Sequence, residues 1–241
     1  MAKPSTPGRI TGIPQTGTGI LAVFCDLAPE WRPDFRPWLA EDMFPPRMAI
    51  GFGPAATFDL IEDAIAAPPG IKHEPPQDYV TLYVGPSLGD LYGPAYQGLR
   101  TKRAPRDAAY HKNMQNQARS VGTWVGPGIE ADDKNFAPVV VIDRFKLEPA
   151  DTQAFNIWYA CEYLPACAEI NGLTRLRRYL AMEGAADHIL VHEFSSEADL
   201  TDDTWRALRA SENWSLCHFA PGAPAAYRNV LNANQHKNSA S

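Results

Sequence analysis

The chain repeats itself, and that constrains its fold more than any other feature. The stretch FNIWYACEYLPACAEINGLTRLRR, Phe155 to Arg178, has an earlier copy in FRPWLAEDMFPPRMAIGFGPAATF. At one constant offset Phe35, Trp38, Phe44 and Pro45 match Phe155, Trp158, Leu164 and Pro165. After a single extra residue Gly51-Phe52 meets Gly172-Leu173, and Phe58 meets Tyr179. Further on, GDLYGPAYQGLR lies over ADLTDDTWRALR, pairing Tyr96 with Trp205 and Arg100 with Arg209, and DYVTLYV matches DHILVHEF. Ordered agreement of Trp, Pro, Gly and Leu-Arg marks a tandem duplication. The 241 residues therefore divide into two halves that share one core.

Within each half the signals alternate. ILAVFCDL, Ile20 to Leu27, is a first strand. A helix centred on Trp38 follows and is expected to stop at Pro45-Pro46, as its copy, capped by Asp151 and Thr152, ends or kinks at Pro165. Ala55 to Leu60 is a second strand, DYVTLYVG a third, GPAYQGLR lies in a second helix, and Gln117 to Val125 is a fourth strand. VVVIDRFKL opens the second half, where Asn171-Gly172 is a turn and LTRLRRYL a strand. The expected layout is an arm over residues 1–18, a first repeat over 19–125, a linker over 126–138, a second repeat over 139–231 and a polar tail over 232–241. A Pro-rich insertion at 61–77 has no counterpart in the second half and reads as a cover over a pocket.

Composition narrows the function. With 45% hydrophobic and 21% charged residues the chain is an ordinary globular protein. A net charge of -6 leaves no basic stripe for nucleic acid. No apolar run spans a membrane, and MAKPSTPGRITGIPQTGTG lacks the apolar core of a signal peptide. Cys25, Cys161, Cys167 and Cys217 form no CxxC pair or zinc spacing, which makes reduced thiols in a cytoplasm the default. Serine-hydrolase elbows, P-loops and dinucleotide-binding glycines are absent.

Each half reads β-α-β-β-α-β, the ferredoxin-like order. With W-Y-x-x-E-Y-L-P at Trp158 to Pro165, then a Gly turn and an Arg-rich strand, the chain resembles the dimeric α+β-barrel superfamily. It is most similar to its EthD-like branch, where a W-Y-x-x-E-H-x-P helix is common. The motif His is Tyr163 here and Met43 in the first half, and Glu162 is Asp42 in the first half. The resemblance implies an α+β fold in which two ferredoxin-like sheets pair within one chain into a barrel, with a homodimer through other surfaces left open. That superfamily is catalytically mixed, so the site has to be argued from residues.

The third strands carry the candidates. His188, Leu190 and His192 share one face, as do Tyr79, Thr81 and Tyr83, opposite aliphatic faces. Such a face is either a pocket wall with a base and phenols, or an interface whose Tyr and His satisfy one another. No metal is expected: residues four apart on a strand lie roughly 13 Å apart, whereas ligands converge within about 2 Å of an ion. Asp143, inside an apolar strand, orients an imidazole as a general base or pairs with an Arg. Tyr96 lines a pocket or the core, and Glu162 faces the sheet or solvent. His73, His111 and His218 read as surface or loop residues. The expectation is a cofactor-independent lyase, dehydratase or isomerase in which His192, held by Asp143, and His188 move protons. It would act on a small hydrophobic or aromatic molecule bound by Tyr79, Tyr83, Tyr96 and Glu162. The alternatives are a non-catalytic small-molecule-binding or stress-related protein, and a cofactor-free oxygenase or haem protein.

Overall fold

In the computed structural model, which describes residues 9–66, 68 and 74–233, the alternating stretches of both halves form one closed antiparallel barrel. A short β1 (Arg9–Thr11) precedes β2 (Gly19–Asp26), β3 (Ala55–Leu60), β4 (Tyr79–Gly85) and β5 (Gln115–Trp124). Then come β6 (Gly128–Glu130), β7 (Val139–Leu147), β8 (Leu173–Glu183), β9 (His188–Phe194), β10 (Cys217–Phe219) and β11 (Ala225–Asn232). The first half orders its strands β5-β2-β4-β3 and the second β11-β7-β9-β8. Each repeat thus has its first and third strands central, as the ferredoxin-like topology requires. The outer strands pair across the halves, β5 with β8 and β3 with β11, so those edges are closed. Gly122 sits on the β5–β8 seam, where a Cβ would lie 2.7 Å from the Leu180 carbonyl oxygen. Outside the barrel β1 pairs with β6, Arg9 opposite Glu130.

Alternation decides which face points inward. Val80, Leu82 and Val84 of β4 and Ile189 and Val191 of β9 fill the barrel with Ile20, Phe24, Phe58, Val140 and Ile142. The opposite faces, Tyr79-Thr81-Tyr83 and His188-Leu190-His192, therefore lie under the helices.

Three consecutive segments, Phe35–Trp38, Leu39–Met43 and Phe44–Ala49, make one helix, α1, whose middle segment is a π-helix. The prolines do not end it. In a π-helix each carbonyl pairs one residue further along, and Pro45 then falls in the first turn of the next α segment, where a missing N–H is tolerated. The second half repeats this device in α5, built from Thr152–Trp158, Tyr159–Tyr163 and Leu164–Ala168, with Pro165 in the same place. Asp151 sits at the N-cap of α5 without a side-chain cap bond, and Thr152 Oγ1 donates back to the Glu148 carbonyl. The first half also has α2 (Leu88–Tyr92), α3 (Pro94–Thr101) and α4 (Pro105–Asn113), and the second has α6 (Asp203–Arg209). Gly172 takes φ +89° in the turn before β8, a conformation that glycine adopts without strain. Among the described residues no helix is long and apolar enough to cross a membrane.

Candidate functional site

The strand registers place equivalent side chains in the two halves. Val23 pairs with Thr81 as Asp143 pairs with Leu190, and Leu21 with Tyr83 as Val141 with His192. Val23 thus stands where the second half has Asp143, and Tyr83 where it has His192. The helix offset sets Met43 against Tyr163 and Arg47 against Cys167. Tyr96 and Arg100 answer Trp205 and Arg209.

The second half closes this space. Asp143 and Arg209 form a two-pronged ion pair, NH1 donating to Oδ2 at 3.0 Å and NH2 lying 2.8 Å from Oδ1. Burial works against the Arg209 charge, but Asp143 and Tyr163 outweigh it and hold the guanidinium above its ordinary range. The His192 ring is fully buried, with Nδ1 3.3 Å from the Val141 carbonyl and 3.6 Å from Asp143 Oδ2. Both neighbours are acceptors, so Nδ1 carries the proton, and Nε2 accepts from the Tyr163 hydroxyl at 2.9 Å. Burial and the nearby Arg209 depress His192 to about 4, Asp143 opposing them. His188 stacks on Phe145 at 5.4 Å, with Nδ1 3.4 Å from Arg178, and burial and that cation depress it to about 4 as well. Trp158, Trp205 and Trp214 pack around this network.

Those imidazoles make stability depend on pH. Each is neutral when folded and titrates near 6.5 when unfolded. Between about 6.5 and about 4 the unfolded chain binds more protons, so this stabilisation is complete above 6.5 and is lost as pH falls toward 4. The urea midpoint is expected to fall from pH 7 to pH 4.5, and less steeply in His192→Gln. Equal slopes for the two proteins would contradict this role.

The first half leaves a cavity of about 130 Å³ between its sheet and helices. Trp38, Tyr83 and Tyr96 form aromatic walls, and Val23 and Met43 give the apolar lining. Arg47, buried at 4% exposure, donates from NH1 to the Met43 carbonyl at 2.9 Å, and its guanidinium carbon lies 5.4 Å from the Tyr83 ring centre. Arg47 Nε, Tyr83 Oη and Trp38 Nε1 are buried without a hydrogen-bond partner among the described residues. Burial pushes the Tyr83 phenol up, so it stays protonated. The Cys25 thiol, raised to about 12 by burial and the carboxylates of Asp26 and Asp78, is no nucleophile.

α4 brings the cavity its titratable pair. His111 Nε2 lies 3.2 Å from Asp107 Oδ1, and Arg103 NH1 lies 3.2 Å from Oδ2. Burial works to raise the Asp107 carboxyl, but the hydrogen bond and charge of His111, with Arg103 and Arg47, hold it below the usual carboxylate range. Tyr110 of the same helix stacks on Trp38 at 4.3 Å, and His111 meets Trp38 edge-on. His111 is therefore half-buried against the cavity, not a surface loop residue. Its helix was readable from Pro105 at the first position, Asp107 in the first turn and His111-Lys112 in the last.

The sequence-derived candidates separate accordingly. Tyr83 and Tyr96 line the cavity, whereas Tyr79 lies further along β4, 5.0 Å from Phe35. Glu162 points to solvent from α5. Asp143 and His192 meet in the second half, 3.6 Å apart, whereas His188 lies four residues along β9 against Phe145 and Arg178; none of the three borders the cavity. Of the insertion at 61–77, residues 67 and 69–73 lie outside the described residues, as does His73. Ile61, Ala64 and Ile65 pack against the second-half core, so the described part of the insertion does not cover the first-half cavity. His218 is exposed. A wider concavity of about 370 Å³ at the linker is walled by Arg175, but that side chain already pairs with Glu193 at 2.8 Å. Among the described residues no His, Cys, Asp and Glu group is placed to hold a metal ion.

No protein-family model and no curated protein matches the chain. Solved structures do. An anthrone oxidase-like protein is similar at TM-score 0.58 and 10% identity, over 94% of this chain and 97% of that one. A candidate monooxygenase from Lactobacillus acidophilus NCFM is similar at TM-score 0.51 and 12% identity, covering 90% and 97%. Chlorite dismutase from Candidatus Nitrospira defluvii is similar at TM-score 0.60 and 10% identity, covering 90% and 93%. The fold is that of the dimeric α+β barrels, with both barrel halves in one chain.

These findings correct the expectation of a His-driven lyase, dehydratase or isomerase. The three proteins named are an anthrone oxidase-like protein, a candidate monooxygenase and a chlorite dismutase. His192 also has both ring nitrogens engaged inside a closed core. Haem, the further possibility, fares poorly on the residues present. It needs an axial His in a roomy apolar pocket, whereas His192 and His188 are packed among aromatic rings. His111 borders a cavity near the size that takes benzene, about 150 Å³.

Proposed function

We propose that the first-half cavity is the active site of a cofactor-free oxygenase acting on a single-ring hydroxylated aromatic. The observation that carries this reading is the cavity itself: aromatic walls, unpartnered buried polar atoms on Trp38, Arg47 and Tyr83 among its lining residues, and a bordering Asp107–His111 pair. Its volume holds about one ring, which leaves no space for a haem or flavin beside a substrate. The likeness to oxidase-like and monooxygenase proteins supports the reaction class.

Such chemistry takes its electrons from the substrate. His111, oriented by Asp107, accepts the phenol proton, and the phenolate is a far better electron donor to O₂ than the phenol. Oxygen joins the ring carbon para to the oxygen atom, and loss of water leaves a quinone. The balance is C₆H₆O + O₂ → C₆H₄O₂ + H₂O for the unsubstituted ring, a four-electron oxidation of substrate matched by full reduction of O₂. Tyr83, a neutral phenol, and Trp38 donate hydrogen bonds to the bound oxygen atoms, and the apolar lining excludes water from the reacting ring. The helix W-Y-x-x-E-Y-L-P supports placing the chain in the EthD-like branch, and buried reduced thiols at Cys25, Cys167 and Cys217 suit a cytoplasmic setting.

The test is oxygen uptake on a panel of phenols under ¹⁸O₂. The expected result is consumption of one O₂ per quinone, with one labelled atom in the product. No uptake above the protein-free rate across single-ring phenols would overturn the reading.

A further inference from the structure

The two halves differ in one charge at an equivalent place, and that difference points to a ligand. In the second half Arg209 has the Asp143 carboxylate of β7 as its counter-charge. In the first half the arginine remains, as Arg100, but β2 has Val23 in place of the aspartate. A further guanidinium, Arg47, is added where the second half has Cys167. Arg47 and Arg100 have no carboxylate at ion-pair distance among the described residues; Arg100 NH1 reaches only Gln97 Oε1, at 3.5 Å. The cavity's other basic side chains are engaged: Arg103 and His111 share Asp107, and Arg119 pairs with Glu183. A buried guanidinium with no carboxylate in contact is costly; Asp107, whose carboxyl Arg47 helps to hold low, is already in contact with Arg103 and His111, and Arg47 Nε has no hydrogen-bond partner among the described residues.

We infer that the substrate of this site carries a carboxylate, which enters as the counter-ion that Asp143 supplies in the other half. This inference rests on the reading that the first-half cavity is the substrate site. The carboxylate sits beside Arg47 and Arg100, next to Val23, and the ring lies among Trp38, Tyr83 and Tyr96. The ligand class is a hydroxylated single-ring aromatic acid with its para position free.

Calorimetric titration with 3-hydroxybenzoate and 3-hydroxybenzamide tests this, because the two differ in charge at nearly equal size. The intact protein is expected to bind the acid at least about tenfold more tightly, in line with a charge-assisted hydrogen bond. Val23→Asp restores the missing carboxylate within the chain, so it should remove that preference while unfolding no earlier than the parent. Arg47→Gln should remove it as well, and Arg47→Lys should keep part of it, which guards against a variant that fails to fold. Equal affinity for acid and amide, no binding of the acid, or an unchanged preference in both Val23→Asp and Arg47→Gln would each overturn the inference. The oxygenase reading fails separately. Tight acid binding without oxygen uptake sinks the reaction and keeps the ligand, whereas uptake with neutral phenols and no acid preference does the reverse.

Discussion

His111→Gln is expected to lower oxygen-dependent turnover by about 10²- to 10⁴-fold, the usual cost of losing a general base. Glutamine keeps a similar volume and a hydrogen-bonding group but cannot take the phenol proton. The α4 backbone does not need the imidazole, and Trp38 keeps its stacked Tyr110 when the edge contact with His111 is lost, so folding and ligand affinity should change little. Asp107 acts through His111: Asp107→Asn should give a smaller loss of turnover with little change in ligand affinity, because it weakens the contact that holds the imidazole in place. The control is His192→Gln, whose turnover per folded molecule should match the parent. Single-turnover rates with product analysis make the measurement. Full activity in His111→Gln would remove the proton acceptor from the scheme.

The second large effect falls on stability. Asp143→Asn leaves Arg209 charged and buried at 6% exposure, with its opposing charge gone. Breaking such a pair by removing one partner costs about 3–5 kcal/mol, whereas replacing both partners by well-packed apolar side chains is often neutral. Urea unfolding should therefore show a large loss for Asp143→Asn and a much smaller one for Asp143→Leu combined with Arg209→Met. His192 would lose a neighbour 3.6 Å away, a minor term beside the ion pair. A single variant within about 1 kcal/mol of the parent would mean that the core admits water to Arg209.

Comparison of residues with structure shows why some features were readable from sequence. The strand Ala55–Leu60 and the opposed faces of β4 and β9 follow from alternation, because a strand buried on both sides still separates aliphatic from aromatic and polar residues. The nearness of Asp143 to His192 followed from topology, since β7 and β9 are neighbours. What alternation could not say is which face borders empty space. That depends on side-chain volume: Tyr163 fills the second half, whereas Met43 at the matching position leaves a gap in the first. The α1 and α5 prolines misled because a π-helical segment absorbs them, and periodicity of 3.6 residues carries no sign of it. His111 was passed over because α4 is a polar helix without an apolar stripe, and its role comes from what it touches.

The seams joining β5 to β8 and β3 to β11 have a consequence for how such a molecule can change. Where two identical subunits build a barrel, every substitution is made twice, and a change that opens one lobe opens both. Here each lobe drifts alone. One can keep its ion pair and closed aromatic packing as an anchor, while its sibling tolerates unpaired guanidinium and vacant volume that would be hazardous in duplicate. Each lobe also serves as an internal reference for the other: exchanging Val23 and Asp143, one position at a time, asks within a single polypeptide how a closed core becomes a receptor.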